Sequence, residues 1–136
     1  MSLESGNYRI ICALRRSGGK NLACVRYYDN LLLVNDYSNH SMKVTHTGGD
    51  KYIIQFTSRP DDFFGPTDNI SDDNRVLSRP GKYEWSINAA GVDQWKIHVP
   101  EKDYYWCLPQ GTGNESRIQL KKSEGVEGEL WSFKKV

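Results

Sequence analysis

The sequence predicts an all-β fold built from three similar repeats, and two observations support that prediction. A short strand-like motif recurs at a period of 43 to 44 residues, as Tyr8-Arg9-Ile10-Ile11, Tyr52-Ile53-Ile54-Gln55 and Trp95-Lys96-Ile97-His98. No long window has the apolar rhythm of a helix, whereas short runs of Val, Ile, Leu and aromatic residues are separated by Gly, Asn, Asp, Ser and Pro. Repeated units of this length cannot bury an apolar face alone, so the three are expected to share one core.

Each repeat contains four candidate strands, and each closes on a second shared motif. That motif reads Met42-Lys43-Val44, Trp85-Ser86-Ile87 and Trp131-Ser132-Phe133. The predicted strands of the first repeat are Asn7–Cys12, Asn21–Arg26, Leu31–Asn35 and Met42–Thr47. Those of the second repeat are Lys51–Phe56, Phe63–Pro66, Arg75–Ser78 and Tyr83–Asn88. Those of the third repeat are Gln94–Val99, Tyr104–Leu108, Arg117–Lys121 and Leu130–Lys134.

The number of repeats selects the architecture. Repeats of about 40 residues with four strands are typical of propeller blades and of trefoil lobes, and propellers close with about four blades or more. Three copies therefore predict a β-trefoil with pseudo-threefold symmetry, a single domain over 1–136 with repeats at about 6–49, 50–92 and 93–136. The first and fourth strands of each repeat would build a six-stranded barrel, and the middle pairs would cap its base.

This architecture also predicts the core. The residues expected to face inward are Ile10, Ile53 or Ile54, Ile97, Val44, Ile87, Phe133, Leu22, Phe64, Trp106, Leu32, Val76 and Ile118. All four tryptophans fall on strand positions, and large aromatic side chains there usually belong to a core rather than to a ligand platform.

Size and charge exclude several function classes. The 136 residues suffice for one domain, and 18 basic against 17 acidic residues leave a net charge of +1. Such a balance provides no bulk attraction to nucleic acid or to a membrane. Residues 1–7 lack the features of a secretory signal, and no apolar run approaches the length of a membrane span. A leaderless, cytoplasmic protein is expected.

The sequence contains no pattern typical of an enzyme or a metal site. Three cysteines, Cys12, Cys24 and Cys107, form no metal-binding spacing, so buried reduced thiols are expected, with a Cys12–Cys24 bridge as the alternative. His40 and His46 have no partner spacing. His98 lacks one too, and the paired aspartates fall in turn-rich segments where carboxylates are usually solvated. No catalytic residue, metal or cofactor is predicted.

Loops on a rigid all-β scaffold are where binding residues are expected, and the first repeat has the most basic ones. One loop reads Arg15-Arg16-Ser17-Gly18-Gly19-Lys20, and the next reads Val25-Arg26-Tyr27-Tyr28-Asp29-Asn30. The alternative interpretation of these residues is an ordinary solvated basic face.

The chain also resembles a known group of proteins. Its first ten residues, Met1-Ser2-Leu3-Glu4-Ser5-Gly6-Asn7-Tyr8-Arg9-Ile10, resemble the start of the leaderless β-trefoil proteins of mushroom fruiting bodies. Two inhibitor families share that scaffold, the cospin-type serine protease inhibitors and the clitocypin-like cysteine protease inhibitors. The third repeat is more similar to the cospin type, through Trp106-Cys107-Leu108-Pro109, Arg117-Ile118-Gln119-Leu120 and Leu130-Trp131-Ser132-Phe133.

The cospin resemblance implies a reactive loop and a partner. In that family the loop between the second and third strands enters a serine protease; here that loop is Val25–Asn30, and its reactive residues would be Val25, Arg26, Tyr27 and Tyr28. Arg26 would be the primary specificity residue, because a guanidinium forms paired, charge-assisted hydrogen bonds with the carboxylate of a trypsin-like pocket.

The clitocypin resemblance implies other loops. Gly18 and Gly19, flanked by Arg15 and Arg16, resemble the glycine pair that enters a papain-like cleft. The legumain-binding loop of that family depends on an asparagine that segment 57–62 lacks, although Arg59 presents a basic side chain there.

Ricin-B-like lectins share the trefoil scaffold and provide an alternative function, glycan binding. Their lobes usually carry a Gln-x-Trp signature, whereas the corresponding motifs here read His40-Ser41-Met42, Tyr83-Glu84-Trp85 and Glu129-Leu130-Trp131. Without the glutamine, sugar binding would depend on other aromatic residues such as Tyr104, Tyr105 and Trp106.

Overall fold

The structure is a computed structural model that describes residues 3–15, 21–26, 32–35, 40–67, 74–108 and 116–136. These ranges contain thirteen strands and one 3-10 helix, Glu127–Glu129. The first-repeat strands are β1 (Gly6–Arg15), β2 (Asn21–Arg26), β3 (Leu32–Asn35) and β4 (Met42–Gly48). The second-repeat strands are β5 (Lys51–Phe56), β6 (Phe63–Pro66), β7 (Asn74–Arg79) and β8 (Trp85–Gly91). The third-repeat strands are β9 (Gln94–His98), β10 (Tyr105–Cys107), β11 (Ser116–Arg117), β12 (Gln119–Lys121) and β13 (Trp131–Lys135).

Six of these strands form a closed antiparallel barrel. The ring runs β1–β4–β5–β8–β9–β13 and returns to β1. Closure removes the exposed edges that an open sheet would present. The remaining strands pair as β2–β3, β6–β7 and β10–β12. This is the β-trefoil architecture, so the predicted fold class is confirmed.

The strand count differs from the prediction at one place. Twelve strands are predicted, but the third strand of the last repeat is divided at Ile118 into β11 and β12. The division occurs because the two halves have different partners: β11 pairs with β3 of the first repeat, whereas β12 pairs with β10 and with β7 of the second. Ile118 itself is fully buried, and its carbonyl accepts the backbone N–H of Val76.

The predicted core is largely confirmed where side chains are described. Nine of the predicted residues are buried: Ile10, Val44, Ile54, Phe64, Val76, Ile87, Ile97, Trp106 and Ile118. Ile54, and not Ile53, is the inward residue of its pair. Phe133 is only partly buried, and its ring packs edge-on against Tyr8 at 5.8 Å. The side chains of Leu22 and Leu32 lie outside the described set.

Aromatic residues fill the base of the barrel. Trp106 contacts Phe64, Trp85 and Trp131 at centroid distances of 6.3, 5.4 and 5.9 Å. The indole N–H of Trp85 donates to the carbonyl of Phe64 at 2.9 Å, and that of Trp131 donates to the carbonyl of Trp106 at 3.1 Å. These tryptophans therefore have the structural role that their strand positions predict.

Two of the three cysteines are buried thiols. Cys12 lies against the 3-10 helix, with its Sγ 3.8 Å from the carbonyl oxygen of Gly128. Burial raises the pKa of Cys12 to about 12 and that of Cys107 to about 11. Cys24 is on β2, and its side chain is outside the described set. In the described ranges, no helix is long and apolar enough to span a bilayer.

Candidate functional site

The first-repeat hairpin, made of β2 and β3, carries the predicted reactive residue. Val25 pairs with Leu33, and Arg26 pairs with Leu32. Arg26 is thus the last residue of β2 and stands where the chain leaves the hairpin ladder. Tyr27 and Tyr28, the other predicted reactive residues, lie outside the described residues.

The two basic loops of the first repeat do not start from the same end of the hairpin. Arg15 pairs with Asn21 at the start of β2, whereas Arg26 is at its end. Five strand steps of about 3.3 Å separate the two ends by about 17 Å. Arg15 and Arg26 therefore stand at opposite ends of β2. Arg16, Gly18 and Gly19 lie outside the described residues.

Neighbouring strands hold the hairpin on both sides. The sheet order is β11–β3–β2–β1, so both β2 and β3 are internal strands. β11 belongs to the third repeat, and Arg117 in it pairs with Leu33. Sequence reasoning missed this neighbour, because β11 is two residues long and its partner is more than eighty positions away along the chain.

The loop at 57–62 carries Arg59 and is hydrogen-bonded to a buried side chain of β5. Gln55 is 6% exposed, and its amide nitrogen donates to the carbonyl oxygens of Pro60 at 3.1 Å and Asp62 at 3.4 Å. The backbone N–H of Thr57 donates to Ser41 at 3.2 Å. Both side-chain and backbone hydrogen bonds therefore link the loop to the barrel.

Within this loop the Arg59 side chain forms an ion pair with Asp62. Its Nη2 and Nε atoms lie 2.8 and 3.2 Å from one carboxylate oxygen of Asp62. The Arg59 and Asp62 side chains are 37% and 17% exposed, and such surface pairs typically contribute about 0–1 kcal/mol. Arg59 would have to leave Asp62 before it entered another protein's pocket.

The positions that match the lectin signature have structural roles. Trp85 and Trp131 are buried and hydrogen-bonded in the core, and Met42 is buried at the matching position of the first repeat. Glu129, where a lectin lobe has glutamine, is buried; it accepts from the Ser123 hydroxyl at 2.9 Å and from the backbone N–H of Glu124. Lys96 lies 3.6 Å from the same carboxylate.

A polar cluster that sequence reasoning missed lies on the barrel wall between the second and third repeats. Asp50 accepts from Lys51 at 2.7 Å and from the Asn88 amide at 3.0 Å, and these two bonds lower the pKa of Asp50. His98 Nε2 lies 2.7 Å from the Asn88 amide oxygen, and the His98 ring is 4.9 Å from that of Tyr105. Asn88 of the second repeat is bonded both to Asp50 and to His98 of the third, so the cluster joins the two repeats.

No metal centre is formed by the side chains that the structure describes, because no group of three or more His, Cys, Asp or Glu residues among them is arranged to hold an ion.

Comparison with known structures supports the fold. A designed 3-fold symmetric protein, ThreeFoil, matches with a TM-score of 0.82 at 10% identity, over 96% of this chain and 99% of that one. A Macrolepiota procera ricin B-like lectin in complex with lactose matches with a TM-score of 0.78 at 14% identity, over 100% and 99%. A proteinase inhibitor from Coprinopsis cinerea matches with a TM-score of 0.76 at 14% identity, over 99% and 100%. No protein-family model and no curated protein matches the sequence. The chain is therefore similar, over its whole length, to both inhibitors and lectins that share the β-trefoil fold.

Proposed function

We propose that this protein inhibits trypsin-like serine proteases and that Arg26 is the residue that enters the primary pocket. The observation that carries the proposal is the position of Arg26 at the end of β2, paired with Leu32, where the connection to β3 begins. Residues 27–31 join two strands that are themselves internal in a four-stranded array.

Such a support suits an inhibitory loop. Binding normally costs about 0.5–1.5 kcal/mol for each flexible side chain that becomes ordered, as well as the ordering of the loop backbone. Strands paired on both sides fix the two ends of the connection before binding, so less backbone freedom remains to be lost. A guanidinium that enters a water-shielded pocket then meets a carboxylate through paired, charge-assisted hydrogen bonds.

Arg59 is the weaker candidate anchor in the described part of the chain. Its guanidinium is bound by Asp62, and Pro60 follows it directly, which would hinder cleavage after Arg59. The loop is nevertheless held firmly by Gln55, so Arg59 remains a secondary candidate. Inhibition of papain-like proteases through Gly18 and Gly19 is the other inhibitor hypothesis.

The experiment is a titration of trypsin and papain activity with the purified wild type and three variants. Arg26→Ala should abolish trypsin inhibition, and Arg26→Lys should retain part of it, because a trypsin-like pocket also accepts lysine. Arg59→Ala is the matched control, since it removes the same side chain from another loop. Inhibition of neither enzyme by the wild type would reject the inhibitor proposal, and loss of trypsin inhibition in Arg59→Ala alone would move the site to 57–62.

Carbohydrate binding is the second candidate, and the fold match to a lectin solved with lactose favours it. Three of the four tryptophans, however, are fully buried. Tyr105 already contacts the His98 ring at 4.9 Å and lies 5.4 Å from the Lys96 ammonium. A glycan array that includes lactose tests this function independently of the protease titration.

A further inference from the structure

The third repeat borders the hairpin that carries Arg26. β11 pairs with β3 through Ser116–Val34 and Arg117–Leu33, and Leu33 in turn pairs with Val25. Neighbouring strands are about 4.8 Å apart, so the Arg117 backbone is about 10 Å from that of Val25.

That distance lies within the area that a protease would cover. A standard interface buries about 800 Å² on each partner, which corresponds to a disc of about 16 Å radius. A disc of this size centred on the end of β2 includes Arg117. The Arg117 side chain is exposed, so a partner that covers this disc can reach it.

The charge around Arg117 has one sign in the described strands. The charged residues of β7, β11 and β12 are all basic, and they are Arg75, Arg79, Arg117 and Lys121. None of these three strands contains an acidic residue. Arg117 is the exposed member of this set, whereas Arg75, Arg79 and Lys121 are partly buried.

We infer that Arg117 is a specificity-determining residue, which selects among proteases with the same primary pocket by the charge of the surface around that pocket. The inference rests on the proposed function, because it requires the protease to bind at the end of the hairpin where β2 leads into β3. Charges at the rim of an interface change the association rate and its salt dependence more than they change the final affinity. Arg117 should therefore accelerate association with a protease whose rim is acidic.

The test compares an anionic and a cationic trypsin isoform, which share the primary pocket and differ in surface charge. Association rates are measured at low and high salt for the wild type, Arg117→Gln and Arg117→Glu. In Arg117→Glu the ratio of the anionic to the cationic rate should fall about tenfold at low salt, with Arg117→Gln intermediate. The difference should shrink at high salt, where the Debye length is only a few ångströms.

Lys102→Glu is the matched control. Lys102 is exposed in the connection between β9 and β10, and neither strand borders β2, β3 or β11. The same charge reversal there should leave the ratio of rates unchanged. Should Arg117→Glu fail to fold, Arg117→Gln still tests the inference, because it removes the charge without adding a repulsive one.

The outcomes separate the inference from the function on which it rests. If the wild type inhibits neither isoform, the proposed function fails and the inference fails with it. If the wild type inhibits, Arg26→Ala abolishes inhibition and the Arg117 variants keep the wild-type ratio, only the role of Arg117 is overturned. An equal fall in the ratio for Lys102→Glu would also overturn it, since the effect would then follow from net charge.

Discussion

Trp131 donates its indole N–H to the carbonyl oxygen of Trp106 at 3.1 Å, whereas the indole N–H of Trp106 is buried and has no acceptor among the residues that the structure describes. In the second repeat Trp85 likewise donates its indole N–H to the carbonyl oxygen of Phe64, but the Phe64 side chain has no N–H that needs an acceptor. A buried donor without a partner costs about 1–3 kcal/mol. The tryptophan at position 106 therefore contributes apolar area at a cost that its second-repeat counterpart avoids.

Trp106→Phe should consequently be tolerated much better than Trp131→Phe. The first substitution leaves a small cavity but removes the unpartnered donor, whereas the second leaves a cavity and also removes a buried hydrogen bond. We expect Trp131→Phe to lower the free energy of unfolding by about 1–3 kcal/mol more than Trp106→Phe does. Urea unfolding of both variants measures the difference.

Trp85→Phe is the control for that comparison, since Trp85 makes the same type of bond as Trp131. It should resemble Trp131→Phe. A Trp106→Phe variant that loses as much stability as either of the others would show that the indole N–H contributes through a partner after all.

The repeat pattern predicted the barrel well because its signal is strong and local. In each repeat, buried residues such as Val44, Ile54 and Ile97 alternate with less buried ones along the strand. This alternation specifies the strand register, and all three repeats specify the same one. What the sequence could not predict depends on contacts between repeats. The third strand of the last repeat divides at Ile118 because β11 pairs with β3 whereas β12 pairs with β10 and β7, and no local sequence pattern records those partners.

The candidate site was predicted less completely for the same reason. Arg26 is at a strand end, as expected, but the position of Arg117 beside the hairpin follows only from the pairing of β11 with β3. The two basic loops are consecutive in sequence, but this proximity along the chain does not place them at the same end of the hairpin. Antiparallel pairing places Arg15 and Arg26 at opposite ends of β2, which only the register reveals.

Gly128 should be among the least replaceable residues of the described chain. A Cβ atom at this position would collide with the carbonyl oxygen of Leu108, whose backbone N–H donates to the Gly128 carbonyl at 3.0 Å. Neither backbone can retreat without breaking that bond. We expect Gly128→Ala to lower the free energy of unfolding by about 3 kcal/mol or more, or to prevent folding.

Gly125→Ala provides the comparison, because Gly125 is close by in sequence but has open space around it. Its φ of +70° makes a side chain unfavourable by about 1–2 kcal/mol, without a collision. Thermal unfolding of the two variants should therefore give a clearly lower midpoint for Gly128→Ala. Equal midpoints would contradict the close packing at Leu108.

Glu129 should be important for stability, although the segment before it, 122–127, is exposed. Its buried carboxylate accepts from Ser123 and from the backbone N–H of Glu124, with Lys96 at 3.6 Å. In Glu129→Gln a side-chain NH2 group would replace one of the two carboxylate oxygens. That NH2 group would face a donor from which the oxygen accepts a hydrogen bond in the wild type. We expect a loss of about 2–3 kcal/mol in the free energy of unfolding, measured by urea titration.

Lys96→Met tests which of these contacts matters. Lys96 is 31% exposed and lies at the long end of ion-pair distances, so its removal should cost less than the change at Glu129. A larger loss for Lys96→Met would mean that the ion pair, rather than the hydrogen bonds to segment 123–124, holds Glu129 in place.

The buried thiols predict how stability depends on alkaline pH. Burial raises the pKa of Cys12 to about 12 and that of Cys107 to about 11, above the value of about 8.5 for an exposed thiol. Above that value the unfolded chain loses these protons while the folded chain keeps them. The folded state thus binds more protons, and stability falls as pH rises from about 8.5 towards 11.

Cys12→Ala and Cys107→Ala isolate this contribution from that of the lysines and tyrosines, which also titrate in this range. Each variant starts less stable because it leaves a cavity, but its free energy of unfolding should fall less steeply between pH 8.5 and 10.5 than that of the wild type. Cys12→Ala should have the larger effect, since the pKa of Cys12 is raised further. Parallel pH profiles for wild type and variants would show that the thiols ionise equally in both states, and hence that solvent reaches them in the folded protein.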